Sequence, residues 1–377
     1  MNADPKASFI VPCYKLAHLL GECVRSILEQ TCADFEILIM DDCSPDDTPE
    51  VARSFRDPRV RHIRNDPNLK HLRNYNKGIG LARGEYIWLI SADDRLRAPY
   101  VLERYVRVMD GNPCVGFAFC PGMGLRDSRE TQIVKWAALD SPDAIWDGRK
   151  LLRRLLESNC VLAPSGMVRR GCYETLGTFP LDLPYAGDWY LWCLFALHYD
   201  AAYFCEPMVN YREHAQSMTD QLISEDVRLL CKDDLAVRWR IKERIDEAGD
   251  QDLARHCLDG IVEYYTYSLS SKRWRGARYR MSLEEFAQSL DDHVPGARER
   301  EAIRTQVLQR IGGHLHWDPD FKADLELYRL AIAHSPGNLK LWLKYLMLRA
   351  GAPGLVAMQA AAKVRGATRR LARGQRA

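Results

Sequence analysis

The chain has 377 residues, enough for one large domain or two domains of ordinary size. Hydrophobic residues make up 47% of it and charged residues 28%, a balance typical of globular proteins. The net charge of +2 gives no reason to expect nucleic acid as a partner. The 12 cysteines show no C-x-x-C spacing, so we expect reduced thiols rather than a zinc site or a disulfide framework.

The N-terminal residues lead through Pro5 and Lys6 directly into a predicted strand, without the apolar core of a signal peptide. Charged residues interrupt each apolar run well before the about 20 residues that a transmembrane helix requires. We therefore expect a cytoplasmic protein that contacts a membrane at most from its inner face.

The first 120 residues alternate between short β-branched or aromatic runs and stretches with helical periodicity. The predicted strands are 8–12, 35–40, 60–63, 85–90 and 115–119. Apolar residues recur every three or four positions in 16–30 and in 99–109, as in amphipathic helices. This alternation predicts an α/β fold with a mainly parallel sheet, whose ligands bind beyond the carboxyl ends of the strands.

The pattern changes along the chain in a way that predicts three regions. An α/β domain covers 1–220, with connections and edge structure in 121–185. A helical region covers 221–335, where long charged helices replace the strand signals. The last region, 336–377, is basic and amphipathic, since ten Lys and Arg and no Asp or Glu occur from Leu327 onward. It either lies on an anionic membrane surface or forms a packed helix followed by a basic tail.

Paired carboxylates follow two of the predicted strands. Asp41 and Asp42 end the second strand, and Asp93 and Asp94 follow the fourth in the stretch LISADD. Taken alone, the first pair is explained by a turn and a helix cap. Two adjacent like charges at a strand end repel each other and call for a cation, and Mg²⁺ or Mn²⁺ suits oxygen ligands.

Three longer stretches carry a combined pattern. SFIVPCYKLAHLLGECVRSILEQTCADFEILIMDDCSPDDT contains a strand, Pro-x-Tyr, a helix and paired Asp. RNDPNLKHLRNYNKGIGLARGEYIWLISADD leads into the second Asp pair, and YAGDWYLWCLF places an Asp at a helix start. Over about residues 7–220 the chain thereby resembles the family 2 glycosyltransferases of the GT-A fold, although Ser-Ala-Asp-Asp replaces a strict D-x-D metal motif. The resemblance implies a Rossmann-like, mainly parallel sheet flanked by helices, here followed by an α-helical C-terminal region.

The resemblance implies roles for the residues that bind the nucleotide. Pro12 and Tyr14 are expected to line the base and the ribose, and Asp42 to accept a hydrogen bond from the base, as a carboxylate can from N3 of uracil. Arg73 is expected to reach the base or the diphosphate, unless it is an ordinary solvated helix charge. Asp93 is expected to meet the ribose or the metal shell.

The same resemblance implies a metal site and a general base. Asp94 is expected to bind Mn²⁺ or Mg²⁺, with His214 as a second candidate ligand, although a lone histidine is as often a surface residue. Asp188 is the candidate base that accepts the proton of the attacking acceptor hydroxyl, and an N-cap is its alternative role. A single carboxylate opposite a metal-stabilised diphosphate implies inversion at the anomeric carbon.

The Q-x-x-R-W signature of processive synthases is missing, because Leu235 stands where Gln belongs before Arg238 and Trp239. We therefore expect non-processive transfer. The resemblance implies a nucleotide-sugar donor, expected to be UDP-linked, and a glycan or lipid-linked saccharide as acceptor in surface polysaccharide biosynthesis. The helices of 221–335 are expected to shape the acceptor site or to form a homo-oligomer interface. Two other interpretations stay open, a catalytically degenerate scaffold and a nucleotidyltransferase; the lack of a Gly-rich loop in VPCYKLAHLLG disfavours the latter.

Overall fold

The computed structural model of the chain describes residues 4–214, 217–270, 272–274, 277–314 and 321–350. The chain divides into two compact units, Met1–Cys257 and Leu258–Ala377. The domain boundary predicted near residue 220 lies within a helix of the first unit, Met218–Glu247. The functional division into three regions stays a prediction.

The first unit contains most of the regular structure that bears on function. Its strands are β1 (Ala7–Cys13), β2 (Phe35–Asp41), β3 (Val60–Arg64), β4 (Tyr86–Leu89), β5 (Arg95–Leu96), β6 (Val115–Phe119), β7 (Gly122–Arg126), β8 (Arg129–Ile133), β9 (Ala144–Trp146), β10 (Met167–Arg169), β11 (Asp200–Tyr203) and β12 (Val209–Arg212). Its helices are α1 (Ala17–Leu28), α2 (Thr48–Ser54), α3 (His71–Leu81), α4 (Val101–Gly111), α5 (Gly148–Glu157), α6 (Arg170–Leu176), α7 (Gly187–His198) and α8 (Met218–Glu247).

Eight strands form the main sheet, in the order β3-β2-β1-β4-β10-β6-β11-β9. The pairs β1–β2, β1–β4, β2–β3 and β6–β11 are parallel, whereas β10 runs antiparallel to both of its neighbours. A second sheet has the order β5-β12-β7-β8, in which β12 lies parallel to β7 and antiparallel to β5. The predicted α/β class with a mainly parallel sheet is confirmed.

The centre of the main sheet is buried on both faces. Every residue of β1 and β2 is buried, which explains why these strands read as continuous apolar runs rather than as an alternation. Helix α1 packs with one face inward, and its buried residues are Leu20, Cys23, Val24 and Ile27. These elements fix the carboxyl ends of β1, β2 and β4 as one edge of the sheet, because neighbouring parallel strands end on the same side.

Residues 121–185 contain more regular structure than the sequence analysis expected. Helix α5 is strongly amphipathic, and its apolar residues Leu151, Leu152, Leu155 and Leu156 are buried. Its N-cap is Asp147, whose side chain accepts a hydrogen bond from the backbone N–H of Lys150 at 3.0 Å. The spacing of leucines in this stretch therefore carried a helix signal that the surrounding Gly and Pro residues obscured.

The second unit is mainly helical. Helix α9 (Gln251–Ser270) spans the division between the units, and the strands β13 (Lys272–Trp274) and β14 (Ala277–Tyr279) pair as a short antiparallel hairpin. The helices that follow are α10 (Leu283–His293), α11 (Ala297–His314), α12 (Phe321–His334) and α13 (Leu339–Arg349). The predicted helical C-terminal region is confirmed, with the hairpin as an unforeseen addition. Among the helices of the described residues, none combines the length and the apolar character needed to cross a membrane.

Candidate active site

The carboxyl ends of β1, β2 and β4 bring three of the predicted polar clusters to one edge of the sheet. Pro12 is buried within β1, and Tyr14 follows this strand with 45% of its surface exposed. The backbone N–H of Asp42 donates a hydrogen bond to the carbonyl of Cys13 at 2.9 Å, which ties the end of β2 to that of β1. An exposed ring beside a buried proline is suited to cover a flat ligand such as a nucleotide base.

Asp42 is buried but keeps one carboxylate oxygen available. Its Oδ1 accepts hydrogen bonds from Nδ2 of Asn65 and from the backbone N–H of Leu69, each at 2.8 Å. The same Nδ2 of Asn65 also donates to Oδ1 of Asn74 at 2.8 Å. Among the described residues Oδ2 of Asp42 accepts no hydrogen bond, so this oxygen can receive one from a ligand N–H. The sequence analysis did not assign Asn65 or Asn74 to the site.

The Asp41 carboxylate is buried, and its hydrogen-bond partners are residues of the protein. Its carboxylate accepts from the backbone N–H of Ser44 at 2.8 Å, from Nη1 of Arg64 at 2.7 Å and from Nε2 of His62 at 3.2 Å. Burial acts to raise the pKa of Asp41, but the hydrogen bonds of Ser44, Arg64 and His62 outweigh it and hold the pKa below its ordinary value. Asp41 therefore stabilises the turn after β2.

Asp93 contacts a residue from a distant strand end. Its Oδ2 lies 2.9 Å from Nε2 of His214, two residues beyond the end of β12. Burial acts to raise the pKa of Asp93, but the hydrogen bonds of His214 and Ser91 outweigh it and lower that pKa. The other oxygen, Oδ1, is buried and accepts no well-aligned hydrogen bond from the described residues. An uncompensated buried carboxylate oxygen is costly unless a ligand or ion contacts it.

Asp94 is adjacent to Asp93 but has different hydrogen-bond partners. The side chain is only 6% exposed, and its Oδ1 accepts the backbone N–H of Arg212 at 2.9 Å. Burial and, second, the charge of Asp93 raise the pKa of Asp94 well above its ordinary value. The charge of Arg212 acts against this rise but does not cancel it, and its guanidinium donates to the carbonyl of Asp93 at 2.8 Å and to Oε2 of Glu22 at 2.6 Å.

These residues fit a divalent cation. A cation supplies the positive charge that two adjacent buried carboxylates need and a partner for Oδ1 of Asp93. In the described residues no group of three or more His, Cys, Asp or Glu side chains converges on a single point. Such ions are commonly bound by one or two carboxylates together with substrate phosphates, so the Asp93–Asp94 pair is chemically compatible with one without a third protein ligand.

Asp188 lies in the first turn of α7 and is not its N-cap, which is Ala186. Its Oδ1 accepts the backbone N–H of Trp189 at 2.7 Å, and the side chain is partly buried. Burial raises the pKa of Asp188 to about 6, although hydrogen bonds from the backbone oppose the shift. A carboxyl with this pKa is a better proton acceptor near neutral pH than an ordinary aspartate.

Tyr75 relates Asp188 to the other carboxylates and was missed in the sequence analysis. Its ring packs against His71 at 5.7 Å and against Phe179 at 5.5 Å between centroids. Burial raises the pKa of Tyr75, and the charges of Asp93 and Asp188 raise it further, together with those of Asp94 and Asp42. Tyr75 is therefore within electrostatic reach of both ends of the site.

Arg73 is the predicted site residue with least support from its surroundings. It lies exposed on the first turn of α3, and within the described part of the chain it makes no hydrogen bond or ion pair. Its neighbour Asn74 points inward and donates to the carbonyl of Met40 at 3.0 Å. The role of Arg73 in binding a base or a diphosphate stays a prediction.

Comparison with known proteins identifies the architecture. Residues 8–175 match the family model described as Glycosyl transferase family 2. Residues 8–175 form a family 2 glycosyltransferase domain. This match confirms the predicted resemblance and covers β1 to β10, including the Asp42 and Asp93–Asp94 clusters. Asp188 and His214 lie beyond it.

Several curated relatives share this glycosyltransferase domain. Glycosyltransferase GlyG of Streptococcus pneumoniae is 34% identical over 105 residues, 27% of this chain and 35% of that protein. Succinoglycan biosynthesis protein ExoO of Rhizobium meliloti is 37% identical over 106 residues, 28% of this chain and 30% of that protein. A PGL/p-HBAD biosynthesis glycosyltransferase of Mycobacterium bovis is 29% identical over 190 residues, 50% of this chain and 68% of that protein. The matches with the first two thus span about a third of each relative.

Among solved structures, S. aureus TarS in complex with UDP-GlcNAc aligns with a TM-score of 0.56 at 17% identity. The alignment covers 91% of this chain and 90% of that chain. At this identity the likeness establishes the fold, and the predicted GT-A fold is confirmed.

Proposed function

We propose that the chain is an inverting, metal-dependent, non-processive glycosyltransferase that moves a sugar from a UDP-sugar to a hydroxyl of a glycan or lipid-linked acceptor in surface polysaccharide biosynthesis. The observation that carries the proposal is the adjacent pair of Asp93 and the buried Asp94. The buried Oδ1 of Asp93 has no well-aligned hydrogen-bond partner among the described residues. The name of the relative glycosyltransferase GlyG supports the reaction class, and that of succinoglycan biosynthesis protein ExoO supports a role in polysaccharide biosynthesis.

The donor nucleotide is proposed to bind at the ends of β1 and β2. The exposed ring of Tyr14 covers the base, and Oδ2 of Asp42 accepts the ring N–H that uracil presents at N3. Asn65 and Leu69 orient this carboxylate by donating to its other oxygen. The fold shared with TarS, whose structures contain UDP-GlcNAc or UDP, supports a nucleotide-sugar donor.

Mn²⁺ or Mg²⁺ is proposed to be held by Asp94, with Asp93 and His214 beside it. When bound, such an ion stabilises the negative charge that develops on the leaving diphosphate. His214 orients Asp93 through its 2.9 Å contact, and the backbone N–H of Arg212 orients Asp94. These links hold both carboxylates in fixed positions, so that little rearrangement is needed during the reaction.

Asp188 is proposed to accept the proton of the acceptor hydroxyl at its carboxylate. Its pKa of about 6 keeps it deprotonated at neutral pH while making it more basic than an exposed aspartate. The oxygen that loses its proton then forms the bond to the anomeric carbon as the bond to the diphosphate breaks. Attack from the side opposite the leaving group inverts the configuration at this carbon.

The acceptor is proposed to enter through a cleft of about 660 Å³ whose lining includes Glu213. Its wall contains Arg126 and Glu213, which form an ion pair at 3.1 Å, and the exposed side chains of Ile133 and Trp136. Glu213 precedes His214 in the chain, and this link is the reason for proposing the cleft as the acceptor entrance. An exposed aromatic ring with polar neighbours suits the face of a sugar.

Release of UDP from UDP-sugars in the presence of Mn²⁺ tests the proposal. Slow metal-dependent release without acceptor, and faster release with a saccharide acceptor, are expected. A thermal-shift comparison of UDP, GDP and dTDP with Mn²⁺ identifies the nucleotide. Nucleotide binding without turnover on any donor would favour the degenerate scaffold instead.

A further inference from the structure

Helix α7, which carries Asp188, lacks the usual means of fixing its own start. Its N-cap residue, Ala186, has no side chain that can accept a hydrogen bond. In a capping box a Glu or Gln at the third helical position also accepts the N–H of the N-cap, but here that position is Trp189. Both halves of the capping box are therefore missing from this segment.

Asp233 of α8 supplies an acceptor from another helix. Its Oδ2 accepts the backbone N–H of Tyr185 at 2.7 Å and that of Ala186 at 3.3 Å. The Ala186 bond is the one that the absent residue of a capping box would have made. Asp233 is only 3% exposed, and burying a carboxylate within a helix is unfavourable unless its hydrogen bonds compensate.

Two other residues of α8 contact the same segment, one in the interior and one at the surface. The guanidinium of Arg238 lies 5.0 Å from the centroid of the Trp189 ring. Arg240 pairs with Asp182, with Nη1 and Oδ1 at 3.1 Å, but the Asp182 side chain is 67% exposed. An exposed ion pair contributes little. The Asp182 pair therefore offers a matched control for the buried contact of Asp233.

We propose that Asp233 is a positioning residue for sugar transfer: by accepting the N–H groups of Tyr185 and Ala186, it sets the start of α7 and thereby the place of the Asp188 carboxylate. The inference rests on the proposed function, in which Asp188 is the general base. Asp233 lies outside residues 8–175, so it belongs to the part of the chain that the family model does not match. Helix α8 would then complete the catalytic geometry of the family domain.

Three variants test this role in the full chain: Asp233→Ala, Asp233→Asn and the control Asp182→Asn. Because misplacing a reacting group by about 1 Å can cost about 10²-fold, we expect Asp233→Ala to lower kcat by roughly 10- to 100-fold. Its KM for the nucleotide sugar should stay within about 2-fold, since ground-state binding does not involve Asp188. Asn keeps an oxygen acceptor, so Asp233→Asn should retain most of kcat. Asp182→Asn should behave as wild type.

Amide hydrogen exchange gives a readout that does not depend on activity. Exchange at Tyr185 and Ala186 should become faster in Asp233→Ala and stay slow in Asp233→Asn and Asp182→Asn. Three results for Asp233→Ala would overturn the positioning role. These are unchanged amide exchange, faster exchange with a wild-type kcat, and a raised KM with a wild-type kcat. An equal loss of kcat in the Ala and Asn variants does so as well.

If Asp233→Ala does not fold, Asp233→Glu tests the positioning role instead. This variant keeps a carboxylate that can accept the two N–H groups but displaces it by one methylene group. A lower kcat with an unchanged KM is expected there, and a wild-type kcat overturns the inference. Failure of the proposed function is recognised separately, since the wild-type protein would then release no nucleotide from any nucleotide sugar.

Discussion

Nε2 of His214 lies 2.9 Å from Oδ2 of Asp93, although 121 residues separate the two in the chain. A second contact at the same junction joins the backbone N–H of Arg212 to Oδ1 of Asp94 at 2.9 Å. The end of β12 thus orients both carboxylates that follow β4. Substituting one of these carboxylates should therefore remove the dependence of nucleotide binding on the metal ion.

Asp94→Ala is expected to reduce donor turnover by roughly 10²-fold or more, because it removes a ligand of the ion that stabilises the leaving diphosphate. UDP binding measured by calorimetry should become insensitive to EDTA in this variant, whereas EDTA should weaken binding to the wild type. Glu103→Gln, on the exposed surface of α4, is a control that should leave both properties unchanged. Wild-type dependence on Mn²⁺ in Asp94→Ala would remove Asp94 from the metal site.

Asp188→Asn is expected to bind UDP normally and to lose about 10²-fold or more in kcat, because the amide cannot accept the proton of the acceptor hydroxyl. The kcat of the wild type should rise with pH through about 6, where Asp188 becomes deprotonated. This rise should be missing from the residual activity of the variant. Normal turnover, or an unchanged pH profile, would show that another group is the base.

Asp188→Asn is expected to lower activity but to raise the stability of the folded protein at high pH. The pKa of Asp188 is raised from 3.8 to about 6 in the folded protein, so folding favours its protonated form. The contribution of this group to the free energy of unfolding is fully present below pH 3.8 and is lost as the pH rises through about 6. Asp188→Asn should therefore have a higher Tm than the wild type at pH 8, and a difference that vanishes or reverses near pH 4. A lower Tm at pH 8 would contradict this.

Asp41 and Asp42 are adjacent but should respond differently to the same substitution. Asp42→Asn should weaken UDP binding by about 10-fold or more, because the amide presents a donor or a weaker acceptor to the base. Asp41→Asn should instead lower the free energy of unfolding by about 1–3 kcal/mol, since it weakens charged hydrogen bonds to Arg64 and His62. Urea unfolding and UDP titration of both variants check this. Equal effects on UDP binding would contradict the assignment of the base-binding role to Asp42 alone.

Trp136→Ala is expected to raise the KM for a saccharide acceptor by about 10-fold, because the ring would no longer cover a face of the sugar. Release of UDP in the absence of acceptor should not change, since Trp136 lies in the cleft and not at the ends of β1 and β2. Tyr100→Ala, which removes another exposed ring on the same unit, is the control. An unchanged acceptor KM in Trp136→Ala would place the acceptor elsewhere.

Helix α13 presents the apolar face that a membrane-binding segment requires. Leu339, Trp342, Leu343 and Leu346 are exposed, whereas Leu341 and Leu348 are buried. The full chain is expected to co-sediment with anionic vesicles at low salt and to dissociate at high salt, because basic residues near such a surface each contribute up to about 1 kcal/mol. Most of these basic residues lie in 351–377, outside the described residues.

Truncation before Leu339 should abolish this binding and leave donor hydrolysis intact. Because the truncation also removes the buried Leu341 and Leu348, the paired substitution Leu343→Asp and Leu346→Asp is a sharper test on the exposed face alone. It should reduce binding to anionic vesicles without lowering Tm. A wild-type chain that ignores these vesicles would make α13 a structural helix and favour a soluble acceptor.

Local sequence patterns determined the fold class and placed the paired carboxylates at strand ends, whereas the roles of the site residues were implied by the family resemblance. Strands buried on both faces read as apolar runs, as in β1 and β2, and helices read as periodic apolar positions, as in α1 and α4. Since ligands of parallel sheets bind beyond the strand ends, the placement of Asp42, Asp93 and Asp94 at one edge could be predicted without coordinates. Asp188 and His214 followed from resemblance, not from their local patterns.

Only the tertiary structure decided which atoms meet. It paired His214 with Asp93, buried Asp41 against Arg64 and His62, and brought Asp233 to the start of α7. These contacts depend on strand order and on the packing of helices that are far apart in the chain. Hydropathy periods report which face of an element is buried, but they contain no information on which distant side chain covers it. For that reason the site residues could be predicted individually, whereas their partners and protonation could not.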